Sequence, residues 1–302
     1  MDTLIEIALV PVILLLLFIY KKDPHPESSK LLWKIFGFGC LTSIPVVICE
    51  LLYENFLKVP DTGDAKMLLL NTFLGVGLIE EFFKWLVVWW LCYRNKDFDE
   101  TYDAIVYAAF SSLGFACVEN VLFVLVNGAG VGIMRALTTV PGHLCLGVIM
   151  GYFFGRARKN KADGKSSAIF IILSLVVSAV LHTFFDYYIF MAEYVEIAIL
   201  LWFVFILMQF IICFIAVMYI SKHNEHISDS ITAEAVVAPA PAIAPVMATP
   251  AEPTITATQP APTVAPIAPA EPSPTPSPIP NPANTDTIGS NENIQPHDPL
   301  NN

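Results

Sequence analysis

The sequence predicts an all-α fold: a polytopic helical membrane protein of about seven transmembrane helices, followed by a disordered Pro/Ala-rich C-terminal tail. Three observations carry this reading. Of the 302 residues, 55% are hydrophobic and only 14% charged, where a soluble domain carries about 25% charged residues. The apolar residues are gathered into runs of the ~20 residues that a bilayer crossing needs. From about Ser228 the composition changes, and the remainder holds 17 of the 23 prolines and no Lys or Arg.

The apolar runs fall at 3–20, 31–53, 67–93, 102–127, 131–155, 167–190 and 196–220. Helices are the expected spanning form, because every backbone polar group must pair internally in lipid. The first run has no basic stretch before it and reads as a membrane span rather than a cleaved leader. Lys21-Lys22-Asp23-Pro24-His25-Pro26 separates the first two runs, and Asn127-Gly128-Ala129-Gly130 the fourth and fifth. The fifth run is the least regular, since Arg135 and Pro141-Gly142 interrupt it. Cys40, Cys49, Cys92, Cys117, Cys145 and Cys213 lie singly inside apolar stretches and read as small buried hydrophobes.

Basic residues set the expected orientation. The loops after spans 1, 3, 5 and 7 hold Lys21, Lys22, Lys30, Arg94, Lys96, Arg156, Arg158, Lys159, Lys161, Lys165 and Lys222, whereas the opposite loops hold only Lys58 and Lys66. The N-terminus is therefore expected outside the plasma membrane and the C-terminal tail in the cytoplasm. This divides the chain into a transmembrane domain, 1–224, with a motif-bearing core at 65–190, and a disordered acidic tail, 225–302, rich in Pro, Ala and Thr. Such a tail cannot bury enough apolar surface to fold. The net charge of −11 comes largely from it, because the first 222 residues carry 16 basic and 19 acidic side chains. No basic patch interleaved with aromatics suggests a nucleic acid partner.

An ionisable side chain at bilayer depth costs at least ~2.5 kcal/mol on insertion scales, so each one inside a span is a candidate for function. Those residues are Glu80, Glu81, Lys84, Glu119, His143, His182 and Asp186. At about 1.5 Å per residue, Glu80 lies ~20 Å from the outer end of its span, His143 ~18 Å, and Glu119 and His182 ~12 Å each. Four helices thus place acids and imidazoles in one band. Glu80 and Glu81 precede Lys84 by four and three residues, so Lys84 can partner either carboxylate and leave the other for general-base work. Asp186 follows His182 by four residues and can orient it. Blander roles exist for each: a neutralised Glu–Lys bridge, interhelical polar contacts for Glu119-Asn120, interfacial positions for Glu6 and Glu50, and a snorkelling Arg135.

These residues also stand in a pattern. Glu80-Glu81-Phe82-Phe83-Lys84, then Gly114-Phe115-Ala116-Cys117-Val118-Glu119-Asn120, then His143 with Gly147 and Gly151, then His182-Thr183-Phe184-Phe185-Asp186 resemble the PrsW family of intramembrane proteases. The likeness covers residues 65–190. It implies an endopeptidase that cuts membrane-anchored proteins, with site-1-type cleavage of a single-pass anti-sigma factor in stress signalling as the family's best-known role. The family is similar in turn to the type II CAAX endopeptidases, where a later HxxxN supplies oxyanion contacts; Asp186 stands here in place of that Asn. Two mechanisms follow. A metalloprotease would hold zinc on His143, His182 and Glu81. A metal-free glutamate mechanism, the reading preferred here, uses Glu80 or Glu81 with His143 to activate water and His182 to steady the oxyanion, supported by Lys84, Glu119, Asn120 and Asp186. The partners expected are the lipid bilayer and a single-pass membrane protein substrate. The rival class is a proton or divalent-cation transporter using the same carboxylates and histidines; no inverted repeat or second interrupted helix supports it.

Overall fold

The computed structural model describes residues 2–58 and 64–227. Over these residues the chain is helical, with no strand beyond one isolated bridge between Glu100 and His226. The helices are α1 (Asp2–Lys22), α2 (Ser29–Leu41), α3 (Ser43–Leu52), α4 (Ala65–Thr72), α5 (Leu78–Leu91), α6 (Asp103–Leu137), α7 (Thr139–Ala162), α8 (Ala168–Met191) and α9 (Ile197–Lys222). Two π turns, Tyr53–Leu57 and Phe73–Gly77, extend α3 and join α4 to α5. Five stretches are long and apolar enough to cross a bilayer: Thr3–Lys22, Ser29–Leu57, Asp103–Ala162, Ala168–Met191 and Ile197–Lys222. The fourth and fifth expected spans both fall within Asp103–Ala162, which is broken at Gly128 and at Thr138. The third, 65–91, is interrupted by a π turn and carries Glu80, Glu81 and Lys84, all of which face inward and are buried.

The first half of α6 is the centre of the bundle. From Ala104 to Ala109 every side chain is fully buried, which a helix reaches only when neighbours cover it on all sides. Small residues make that possible, as expected for helices packing in lipid. A Cβ on Gly147 or Gly151 of α7 would strike the Ala108 or Ala104 carbonyl oxygen, and one on Gly39 or Gly114 would strike Ser111 or Phe36 backbone across the α2–α6 contact. Large apolar side chains point outward instead: Leu200, Phe203, Leu207, Ile211 and Phe214 run exposed along α9. This inverted pattern is that of a lipid-facing surface.

The fifth span differs from its expected form. The chain turns at Gly128 with φ +80°, a conformation only glycine takes readily, and residues 129–137 run back along α6, with Gly132 against Val124 and Ile7. A break at Thr138, φ −122°, ends this return segment, and α7 starts afresh at Thr139. Pro141 therefore lies in a first helical turn, where its missing N–H leaves no bond unmade. Residues 225–227, at the start of the segment read as tail, pair with the loop before α6: Thr101 N donates to Glu225 O (3.1 Å) and Ile227 N to Asp99 O (2.5 Å). The remaining tail, 228–302, lies outside the described residues.

Candidate active site

The π turn at 73–77 sets up the site. It carries one more residue than an α-turn, with Leu78 N donating to Phe73 O, and such bulges recur at functional positions. Two glycines in it admit close neighbours. A Cβ on Gly75 would meet the Tyr53 ring at 2.6 Å, and one on Gly77 the Ala179 carbonyl oxygen at 2.8 Å. The start of α5 is thereby drawn against α8, and Glu80 and Glu81 meet His182.

Lys84 is the hub. Fully buried, its Nζ donates to Glu80 Oε2 (3.0 Å) and Glu81 Oε1 (2.8 Å) and lies 3.0 Å from His143 Nδ1. The Phe115 ring covers it, 4.2 Å from Nζ to centroid. An ammonium has three protons and no acceptor, so His143 Nδ1 accepts the third. His143 Nε2 then carries the ring proton and donates to Glu119 Oε2 at 2.8 Å, a tautomer assigned from its partners. Ser112 Oγ donates to the His143 carbonyl oxygen (2.7 Å) and Ser111 Oγ to that of Lys84 (3.0 Å), pinning both helices to α6.

His182 is held from both sides. Its Nδ1 lies 3.0 Å from Glu81 Oε1, and since a carboxylate only accepts, Nδ1–H donates. Its Nε2 is 3.4 Å from Asp186 Oδ2 and 3.7 Å from Glu80 Oε2. Glu81 Oε2 is buried with no hydrogen-bond partner among the described residues. Asn120, fully buried, donates from Nδ2 to Ala8 O (3.0 Å) and accepts from Arg135 Nε (3.3 Å).

A cavity of about 730 Å³ opens beside this cluster, bounded by α3, α4, α6, α7 and α8. Glu80, Glu119, His143, His182 and Asp186 line it, whereas Glu81 and Lys84 do not. Every candidate residue is therefore brought together from α5, α6, α7 and α8, with the two members of the glutamate pair in different positions: Glu80 at the cavity wall, Glu81 enclosed behind it. Two further residues belong to the site. Arg135 does not snorkel; its Nη2 lies 2.9 Å from Glu119 Oε1, and its guanidinium stacks on Phe123 at 3.9 Å. Glu50 is not merely interfacial but lines the same cavity. Arg135 follows Gly128 by seven residues and Glu119 precedes it by nine, so a hairpin at Gly128 would have paired them from sequence. No comparable signal marked Glu50.

The donors were also tested against a metal ion. Glu80, His143 and His182 each bring one ligand atom within 4.8 Å of the others, with Glu80 where the sequence reading set Glu81. The residue types suit zinc, but the arrangement does not fit a bound ion. Both His143 nitrogens are spent, one on Lys84 and one on Glu119. The Lys84 ammonium contacts two of the three donors, and its charge would oppose a second cation there.

Comparison with known proteins identifies the family. The sequence model described as PrsW family intramembrane metalloprotease matches residues 27–218. The chain is 36% identical over 190 residues to Protease PrsW of Geobacillus kaustophilus, 35% over 188 residues to that of Bacillus subtilis and 34% over 189 residues to that of Halalkalibacterium halodurans. These alignments cover 62% of this chain and 80–83% of the relatives. No solved structure matches significantly. With a family model matching residues 27–218 and relatives named as proteases, the chain belongs to the PrsW family of intramembrane proteases as an integral membrane peptidase.

Proposed function

We propose that the protein hydrolyses a peptide bond near the outer face of a single-pass membrane protein, by a metal-free mechanism with Glu80 as the general base. The observation that carries this is the division of the glutamate pair: Glu80 lines the cavity, while Glu81 and Lys84 lie behind it. Water between Glu80 and the scissile carbonyl gives its proton to Glu80 as its oxygen attacks the carbonyl carbon. His182, doubly protonated with Nδ1–H donated to Glu81 and with Asp186 beside Nε2, faces the developing oxyanion with Nε2–H. As the C–N bond breaks, Glu80 returns the proton to the leaving amine. Lys84 and His143 fix the carboxylates, and Arg135 and Asn120 hold Glu119.

The cavity runs to Lys58, Glu193 and Tyr194, at the ends of the loops with few basic residues. The bias of Lys and Arg supports an outer active site, an N-terminus outside and a cytoplasmic C-terminus. That geometry suits the first cut in an anti-sigma factor, which we take as the substrate class, and it suits a domain organisation of 1–224 plus tail.

The test is cleavage of a panel of single-pass membrane proteins, anti-sigma factors included, by the purified protein in detergent or proteoliposomes. Glu80→Gln is expected to abolish cleavage while the protein remains monodisperse. Normal cleavage by a folded Glu80→Gln protein overturns the assignment of the base, and absence of cleavage across the panel overturns the substrate class.

A further inference from the structure

A second cluster of ionisable groups lies at the other end of the bundle, about 24 Å from Glu119 along α6 at 1.5 Å per residue. It gathers three segments remote in sequence: the α1–α2 turn with Asp23 and Glu27, the loop before α6 with Asp99 and Glu100, and Asp103 in the first turn of α6. One oxygen each from Asp23, Glu100 and Asp103 lies within 4.8 Å of the others, and the same holds for Glu27, Asp99 and Asp103. The two triads share Asp103.

Acidic surface clusters are common, and this one differs by being buried and incompletely satisfied. Asp23 is 6% exposed and Asp103 1%. Asp103 Oδ2 accepts from the backbone N–H of Asp99 (3.1 Å) and Glu100 (2.8 Å), and Asp23 Oδ1 from that of His25 (3.0 Å). The second oxygen of each, Asp103 Oδ1 and Asp23 Oδ2, is buried with no hydrogen-bond partner among the described residues. No ion pair reaches either aspartate among the described residues; His25 Nδ1 goes to Glu100 Oε1 (2.8 Å) and Arg158 Nε to the Phe98 carbonyl (3.2 Å). A buried carboxylate oxygen without a partner is costly, and here two of them face a group of three further carboxylates.

We propose that Asp23, Glu100 and Asp103, with Glu27 and Asp99 beside them, bind one hard divalent cation, Ca²⁺ or Mg²⁺. The donors present are carboxylate oxygens, the set such ions prefer. Five carboxylates packed side by side repel one another, and a cation among them relieves that repulsion. Its structural effect follows from the bonds around it. Asn224 Nδ2 donates to Glu100 Oε2, Asn224 Oδ1 accepts from Tyr102 N (2.9 Å), and Glu225 and Ile227 pair with the same loop. An ion there fastens the loop before α6 to the α1–α2 turn and, through that loop, to the segment after α9.

The experiment uses the full chain in detergent, stripped with a chelator, at pH 7.5, titrated calorimetrically with CaCl₂ and separately with MgCl₂ while thermal unfolding is followed. Saturable binding of either ion at one site, with a raised Tm, is expected, and the two titrations identify which ion. Asp23→Asn and Asp103→Asn keep the oxygen that accepts from backbone and should each weaken binding at least about tenfold. Absence of saturable binding for both ions overturns the proposal, since protons then neutralise the cluster. So does binding undiminished in both variants. If Asp103→Asn does not fold, Asp23→Asn and Glu27→Gln decide, by whether the ion-dependent rise in Tm shrinks.

Discussion

The two ends of the bundle bury charge in opposite ways. In the candidate active site the carboxylates of Glu80, Glu81 and Glu119 face cations supplied by the chain itself, Lys84 and Arg135, and each cation is held within 3.0 Å of a carboxylate oxygen. In the cluster around Asp103 the carboxylates face one another, and two buried oxygens have no hydrogen-bond partner among the described residues. Burying an ion without a counter-charge is unfavourable anywhere in a protein, so the contrast marks different functions. A site that must hold one carboxylate ready for chemistry carries its counter-ion covalently and permanently. A site that leaves the counter-ion to solvent can respond to its concentration.

The sharpest way to break the comparison is to remove the internal base. Glu80→Gln should lower cleavage by about 10²–10⁴-fold, the range general-base groups supply, with unchanged behaviour on size exclusion. Removing the internal cation comes next: Lys84→Met leaves the fully buried Glu81 with His182 as its one partner and should cost about 3–5 kcal/mol in stability, read as a fall in Tm that Glu81→Gln partly restores. Arg135→Met should cost about 1.5–3 kcal/mol through the freed Glu119, again by thermal unfolding. A zinc-selective chelator should leave cleavage within about twofold of its untreated rate if no step uses a metal; loss of cleavage would revive the zinc set. The smallest effect concerns Glu27. Its folded value of about 7 against 4.5 means that the folded state keeps a proton that the unfolded chain releases. Stability should therefore fall as pH rises from about 4.5 to 7, and Glu27→Gln, or a bound cation, should flatten that fall in a Tm–pH series.

Much of this was legible beforehand because the signals are local. Apolar runs of membrane length gave the helices, and the shared depth of Glu80, Glu119, His143 and His182 became direct contacts or near approaches. Asp186 sits where its spacing from His182 placed it. The division of labour between Glu80 and Glu81 was not legible, since adjacent residues differ by about 100° around a helix and only the packed neighbours tell which faces the cavity. The break at Thr138 was equally hidden: Pro141 drew attention to a kink, but the chain interrupts its helix three residues earlier and uses the proline to begin the next one. The Asp103 cluster joins segments as far apart as residue 23 and residue 103 with no shared pattern, and no periodicity predicts such a meeting.

The π turn before Glu80 has a consequence for how such a chain can vary. Its extra residue is absorbed by a single wide turn, so the helix beyond it is offset by one position from the phase set by α4. Insertions and deletions on the α4 side of Phe73 displace Leu68, Asn71 and Thr72 at the cavity wall but leave the phase of α5 unchanged. A deletion between Phe73 and Gly77 would instead convert the turn to ordinary helix and rotate everything after it by about 100°, swinging Glu80, Glu81 and Lys84 together away from the histidines. Length changes on the two sides of these five residues therefore strike different parts of the site, the cavity wall on one side and the charged cluster on the other.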